Sequence, residues 1–188
     1  MKITIRPIEL GDAAAVQRYA ADEELARTCN VPHPYPDNGG EEFVGRSVEA
    51  RSKRERFPFA IVVDGEFVGV IGLNAPDFEV GTVEVDYWIG VPHWGKGIGT
   101  NAVKLAVEFA FTELGMRMVF SGCWEGNPPS GRILLKNGFE ETESILGSES
   151  YAQKFKGKRI RRFVLKRELW SKRITEQPHA ADGEERRR

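Results

Sequence analysis

The sequence predicts one α+β domain built on a mixed, mostly antiparallel seven-stranded sheet flanked by helices. Three observations lead there. Short strands in the first half come in hairpin-like pairs, with an Asp64-Gly65 turn signal between two of them. A strand-like segment over 81–90 runs into a glycine-rich turn and then a long helix-like segment. The second half continues in a βαβαβ order.

Residues 2–7 alternate with Ile3 and Ile5 inward, a first strand. Asp12 is placed to cap a first helix whose apolar face uses Ala15, Val16, Tyr19 and Ala20. Residues 31–40 are rich in Pro, Asn and Gly and read as a loop. A second helix is expected over 41–56 with Phe43, Val44 and Val48 on one side, then strands over 59–63 and 67–73. The fourth strand is 81–90. The helix after it, 101–114, repeats Ala102, Leu105, Ala106, Phe109 and Ala110 at helical spacing. Strands over 117–123, 139–146 and 158–166 and a short helix over 130–137 complete the domain, 1–173. From Ile174 the chain is polar and ends Glu184-Glu185-Arg186-Arg187-Arg188, so 174–188 is expected to be a disordered tail. No internal repeat is visible.

Composition narrows the function classes. The chain has 188 residues, 40% hydrophobic and 29% charged, enough for one sizeable core. No apolar run approaches the ~20 residues of a membrane span, and the strand-like start lacks a signal-peptide apolar region. The net charge of −1 gives no general attraction to DNA. Cys29 and Cys123 read as reduced, buried thiols of a cytoplasmic protein. His33, His93 and His179 are scattered, so no metal-ligand spacing appears, and His93 is expected to line a turn. The basic run 154–167, with Phe155 and Phe163 interleaved, reads as a solvated strand face rather than an RNA or ribosome contact.

The segment Trp94-Gly95-Lys96-Gly97-Ile98-Gly99-Thr100 is the most informative. Glycines let the backbone adopt φ > 0 and approach a ligand. The first amides of the following helix lack internal acceptors, and the helix dipole adds positive charge there. Such a turn suits a diphosphate. A P-loop is excluded because Gly97 follows Lys96 where Ser or Thr is required. A dinucleotide fingerprint, Gly97-Ile98-Gly99-Thr100-Asn101-Ala102 with Glu125 downstream as ribose ligand, fits the letters. It belongs, however, after the first strand of a repeated βαβ unit. Acyl-coenzyme A is the third ligand.

The third option is carried by two motifs in register. Gly97 and Gly99 fit the Gln/Arg-x-x-Gly-x-Gly/Ala motif of the GNAT N-acetyltransferase superfamily, with Trp94 departing at its first position. Downstream, Asn127-Pro128-Pro129-Ser130 is followed by Arg132, Leu134, Lys136 and Gly138-Phe139. Together with Tyr87-Trp88-Ile89, this resembles the ribosomal-protein N-acetyltransferase branch, which carries Asn-x-x-Ser, a short helix and Lys-x-Gly-Phe. Leu10-Gly11-Asp12-Ala13 and Pro34-Tyr35-Pro36 fit its N-terminal part.

The resemblance implies the GNAT fold, acetyl-CoA as co-substrate and transfer of acetyl to a primary amine, such as a protein N-terminal amine. A small-molecule acceptor (amino acid, polyamine or antibiotic) is the alternative within the class; a dinucleotide-binding oxidoreductase and a silent acyl-CoA sensor are those outside it. The resemblance places the pyrophosphate on Gly95, Lys96, Gly97, Ile98, Gly99 and Thr100 beside Trp94. It places pantetheine along Ile89, Gly90 and Val91 and on Asn127, and phosphates near Lys96, Arg132 and Lys136. Two carboxylates on the fourth strand, Glu84 first and Asp86 second, share one sheet face and are candidate proton acceptors. The short helix has no Tyr, so Ser130 is the candidate proton donor to the thiolate, with helix capping as its structural alternative. The expected partners are acetyl-CoA and the amine acceptor, with the protein a monomer or homodimer.

Overall fold

In the computed structural model, which describes residues 1–147 and 153–176, seven strands form one sheet in the order β1-β2-β3-β4-β5-β7-β6. They are β1 Ile3–Pro7, β2 Arg56–Val63, β3 Glu66–Asp77, β4 Thr82–Ile89, β5 Met118–Trp124, β6 Glu140–Leu146 and β7 Arg159–Lys166. Every pairing is antiparallel except β4 with β5, which α4 joins as a parallel crossover. The helices are α1 Ala13–Ala20, α2 Glu23–Thr28, α3 Gly39–Ser52, α4 Ile98–Thr112, α5 Pro128–Lys136 and α6 Arg167–Glu176.

Strand alternation divides the core between the two sheet faces. Val83 and Val85 of β4 point to the face covered by α4, where they pack with Ile71, Ala102, Val103, Ala106 and Phe111. α1 and α3 cover the opposite face, with Val16, Ala20 and Val44 packed on Val70 and Trp88. Glu84 and Asp86 share the second face with Trp88, as the two-residue period requires.

Several expectations change. Asp12 does not cap α1 with its side chain. Its carboxylate pairs with Arg6, at 2.6 and 2.8 Å, and accepts the Glu9 amide, closing a 3-10 turn before the helix. α3 stops at Ser52 rather than residue 56, because Arg56 opens β2, and Val48 faces solvent. α2 lies in a stretch with no expected element; Asp22 caps it by accepting from the Glu24 and Leu25 amides. α6 continues through Glu176, so 174–176 are helical, while 177–188, including His179, lie outside the described residues. Cys123 is buried, but Cys29 keeps some accessible surface; both are free thiols. In the basic run, Arg159, Arg162 and Lys166 face outward while Phe155 and Phe163 are buried. Lys154 instead ties its segment to the body of the fold, donating to the carbonyls of Ala26 and Val31. Among the described residues no helix is long and apolar enough to cross a membrane, and no cluster of side chains could hold a metal.

Candidate active site

The glycine turn forms one wall of a cleft of about 500 Å³. Gly95 and Gly97 sit at φ 74° and 75°, a region costly for residues with a Cβ. A Cβ at either would point into open space, so backbone conformation selects glycine there. Gly97 caps α4, and the first bond from inside the helix back across the cap runs from the Asn101 amide to the Gly97 carbonyl. The amides of Ile98, Gly99 and Thr100 precede that bond and face the cleft. Gly99 has a different reason: a Cβ there would lie 2.8 Å from Cδ1 of Ile133, where α4 meets α5. Lys96, Arg132 and Lys136 line the same cleft; Lys96 also donates to the Pro92 carbonyl at 2.9 Å. Helix-terminal amides, open glycine backbone and three cations fit a diphosphate.

The cleft continues into a split in the sheet. β4 and β5 pair only from Thr82–Glu84 to Met118–Phe120 and then diverge. The Gly69–Ile89 register, with the Gly90 amide bonded to the Val68 carbonyl, commits the even-numbered residues of β4 to β3. The backbone groups of Val85, Tyr87 and Ile89 therefore face the split. Ser121 Oγ donates to the Val85 carbonyl at 2.8 Å, and the Trp94 indole donates to the Ile89 carbonyl at 2.6 Å. Gly90 has its amide on Val68 and its carbonyl on the His93 amide, whereas Tyr87 presents its backbone to the split. The departure from the family motif at Trp94 has a visible consequence, since its side chain fastens the turn to the end of β4.

A second cleft, about 340 Å³, opens on the other side of β4 between α3, the 28–36 loop and the start of β7. Asp86 lines it and Glu84 lines neither cleft. The cross-strand neighbours explain the difference. Asp86 lies opposite Gly72, and a Cβ on Gly72 would sit 2.6 Å from Asp86 Oδ1. The carboxylate therefore lies over the glycine. Glu84 lies opposite Asn74, at the outer end of the strand. Asp86 is exposed along the strand where it lines the cleft. Desolvation raises its pKa despite the Asn74 hydrogen bond and Arg56 nearby. Glu84 is also raised, first by burial and then by the Asp86 charge.

The two clefts meet. Thr28, Cys29, Tyr87, Trp88, Asn127 and Ser130 line both. At this junction the Tyr87 hydroxyl lies 2.9 Å from Ser130 Oγ and 3.1 Å from the Ser130 carbonyl. Burial pushes the Tyr87 phenol well above its usual range, so it remains protonated. Tyr87 is not among the site residues that the sequence suggests, although Tyr87-Trp88-Ile89 carries the signal: the resemblance points to a tyrosine on the helix, and the structure supplies one from the strand. Ser130 is not the cap of α5: Asn127 is, accepting from the Ser130 amide while donating to the Thr28 carbonyl at 3.1 Å. His93 bonds Tyr19 Oη through Nε2 at 2.9 Å, and burial lowers its pKa, consistent with a residue that lines the turn. Glu125 is exposed and pairs with Arg159 at 3.2 Å, away from the glycine turn's cleft.

Known proteins share this architecture. A family model described as an acetyltransferase (GNAT) domain matches residues 2–140. An uncharacterized N-acetyltransferase, p20 of Bacillus licheniformis, is 30% identical over 143 residues, covering 74% of this chain and 80% of that protein. The ribosomal-protein-serine acetyltransferase of Escherichia coli is 31% identical over 81 residues, 43% of this chain and 45% of that one. The crystal structure of spermidine N-acetyltransferase from Vibrio cholerae, in complex with CoA and spermine, superposes with a TM-score of 0.77. It is 16% identical and covers 90% of this chain and 98% of that one. The glycine turn on α4, the split between β4 and β5 and the matched domain lead to one assignment: the chain belongs to the GNAT acetyltransferase family, the acetyl-CoA-dependent N-acetyltransferases.

Proposed function

We propose that this chain passes acetyl directly from acetyl-CoA to a primary amine held in the Asp86 cleft, the amine being that of a small molecule or of a polypeptide N-terminus. One observation carries the reading: a cleft suited to a diphosphate ligand and a cleft lined by the Asp86 carboxylate share a common lining at Tyr87 and Ser130. Cofactor and acceptor can therefore meet without either crossing the sheet.

The chain's residues divide the work as follows. The amides of Ile98, Gly99 and Thr100, with Gly95, Gly97 and the side chains of Lys96, Arg132 and Lys136, hold the pyrophosphate end. Backbone of Tyr87 and Ile89 aligns the arm in the split, with Trp94 at its outer end and Asn127 at its inner end. The amine nitrogen forms a C–N bond as the C–S bond of the thioester breaks. Asp86 accepts the amine's proton, because an amine resembling that of lysine, with a pKa of ~10, is protonated at neutral pH. The raised pKa of Asp86 suits a base working near neutrality. The Tyr87 hydroxyl, linked to Ser130, gives a proton to the departing sulfur and is restored by the second proton that the nitrogen loses as the amide forms. Asp86 thus takes the role first expected of Glu84. The free thiols of Cys29 and Cys123 are consistent with a reducing, cytoplasmic setting.

Thiol release from acetyl-CoA across a panel of amines tests the proposal, with wild type and Asp86→Asn side by side. Amine-dependent release that Asp86→Asn lowers supports it. Equal rates for the two proteins across the panel would remove Asp86 from the mechanism.

A further inference from the structure

Asp86 has a polar neighbourhood that the transfer step does not use. One row further from the junction, Arg56, Asn74 and Glu84 face one another across β2, β3 and β4. Rows on one sheet face lie roughly 7 Å apart along the strands. Arg56 Nε donates to Asn74 Oδ1 at 2.7 Å. That bond fixes the Asn74 amide, leaving its nitrogen for the Asp86 carboxylate beside it. Arg56 lines the acceptor cleft, yet both its Nη groups lack a hydrogen-bond acceptor or ion-pair partner among the described residues. The other guanidinium in the cleft, Arg46, is already paired with Glu42 at 3.2 Å.

We infer that the acceptor carries a carboxylate as well as its amine, the amine lying between Asp86 and the junction and the carboxylate on the Nη groups of Arg56. This rests on the amine-acceptor reading above. A guanidinium fork matches a carboxylate in two parallel hydrogen bonds, and Asn74 holds that fork in place by its Nε. A diamine fits less well, since its second ammonium would meet Arg56 with like charge. The same chemistry has two sources: a free aminocarboxylate, or an acidic side chain next to a polypeptide N-terminus.

The test is thiol release from acetyl-CoA with acceptors matched in length. One arm compares aminocarboxylates of increasing chain length with their carboxamides and with diamines. A second compares peptides with Asp or Asn at the second position. The carboxylate should win by at least about 10-fold in kcat/KM at its best length, the scale of one charge-assisted hydrogen bond. Arg56→Gln should bring that ratio close to one, and Arg56→Lys should keep part of it. A preference confined to the first arm assigns a small molecule; one for the Asp peptide assigns a polypeptide. Carboxamides or diamines used as well as carboxylates in both arms would overturn the inference. So would an Arg56→Gln protein that loses activity equally on all acceptors with its ratio intact, since Arg56 would then serve only Asp86. If no amine in either arm supports thiol release, the transferase reading fails along with it, an outcome distinct from a lost preference.

Discussion

Gly72→Ala perturbs the proposed base without replacing it. The added Cβ would lie 2.6 Å from Asp86 Oδ1 and 3.1 Å from Asn74 Oδ1, where ordinary contacts begin at 3.4 Å. The obstacle is the free end of a side chain, so the strand can stay in register while the carboxylate moves by roughly 0.8 Å or rotates away. A misplacement of about 1 Å at a reacting group costs on the order of 10²-fold. Stability should not fall, because Gly72 is not among the residues with positive φ, and Ala in a compatible conformation gains about 0.4–1 kcal/mol by restricting the unfolded chain. The expected result is kcat lower by about 10²-fold, unchanged acetyl-CoA affinity and an equal or higher Tm. Thiol release at saturating substrates, with a thermal melt of the same preparation, measures all of this. In a cycle with Asp86→Asn, the second change should add little, since both act through one carboxylate. A Gly72→Ala enzyme with wild-type kcat would refute the placement of Asp86 at the reaction centre. Fully additive losses would show that Gly72 acts elsewhere.

Other outcomes follow from the same geometry. Asp86→Asn should raise Tm at pH 7: a carboxyl whose folded pKa exceeds its unfolded value of ~3.9 destabilises the fold once ionised, so the gain should vanish as pH falls toward ~4, and an unchanged Tm difference across that range would contradict the raised pKa. Tyr87→Phe should lower kcat by about 10²- to 10⁴-fold with little change in acetyl-CoA affinity, and by more than Ser130→Ala; the reverse order would make Ser130 the terminal proton donor. Gly97→Glu should abolish acetyl-CoA binding in a calorimetric titration while the protein still melts cooperatively, because the side chain enters open space at the amide cluster and the left-handed backbone costs only about 1–2 kcal/mol. Asp12→Asn should lower Tm at pH 7, by an amount that shrinks as pH falls below the ordinary carboxylate range. Burial alone would raise the Asp12 pKa, but Arg6 and the Glu9 amide lower it overall, so its stabilisation is present above the unfolded pKa and lost as pH falls through the folded one.

The sequence by itself determined the features that depend on local chemistry. Alternation over β4 put Glu84 and Asp86 on one face, since that period belongs to any strand, and the structure fills the other face with Val83 and Val85. Gly95 and Gly97 identified the turn because no other residue adopts their φ as cheaply, and the register from that turn to Ser130 identified the family. The missed helices show the limits of local reading. α2 is only six residues long, and α6 buries no residue, so neither carries a strong apolar period. The choices within the site needed the third dimension. Asp86 rather than Glu84 enters the cleft because β3 places Gly72 opposite one and Asn74 opposite the other, a register set by strands far apart in sequence. Tyr87 meets Ser130 across 43 residues only because β4 and β5 splay and α5 docks beside the split. Asn127 rather than Ser130 caps α5 because the helix begins at Pro128, and Gly90 is withheld from the split because its amide is needed by Val68. Residue type and spacing fix what a side chain can do; which one faces the reaction is decided by the backbone packed across from it.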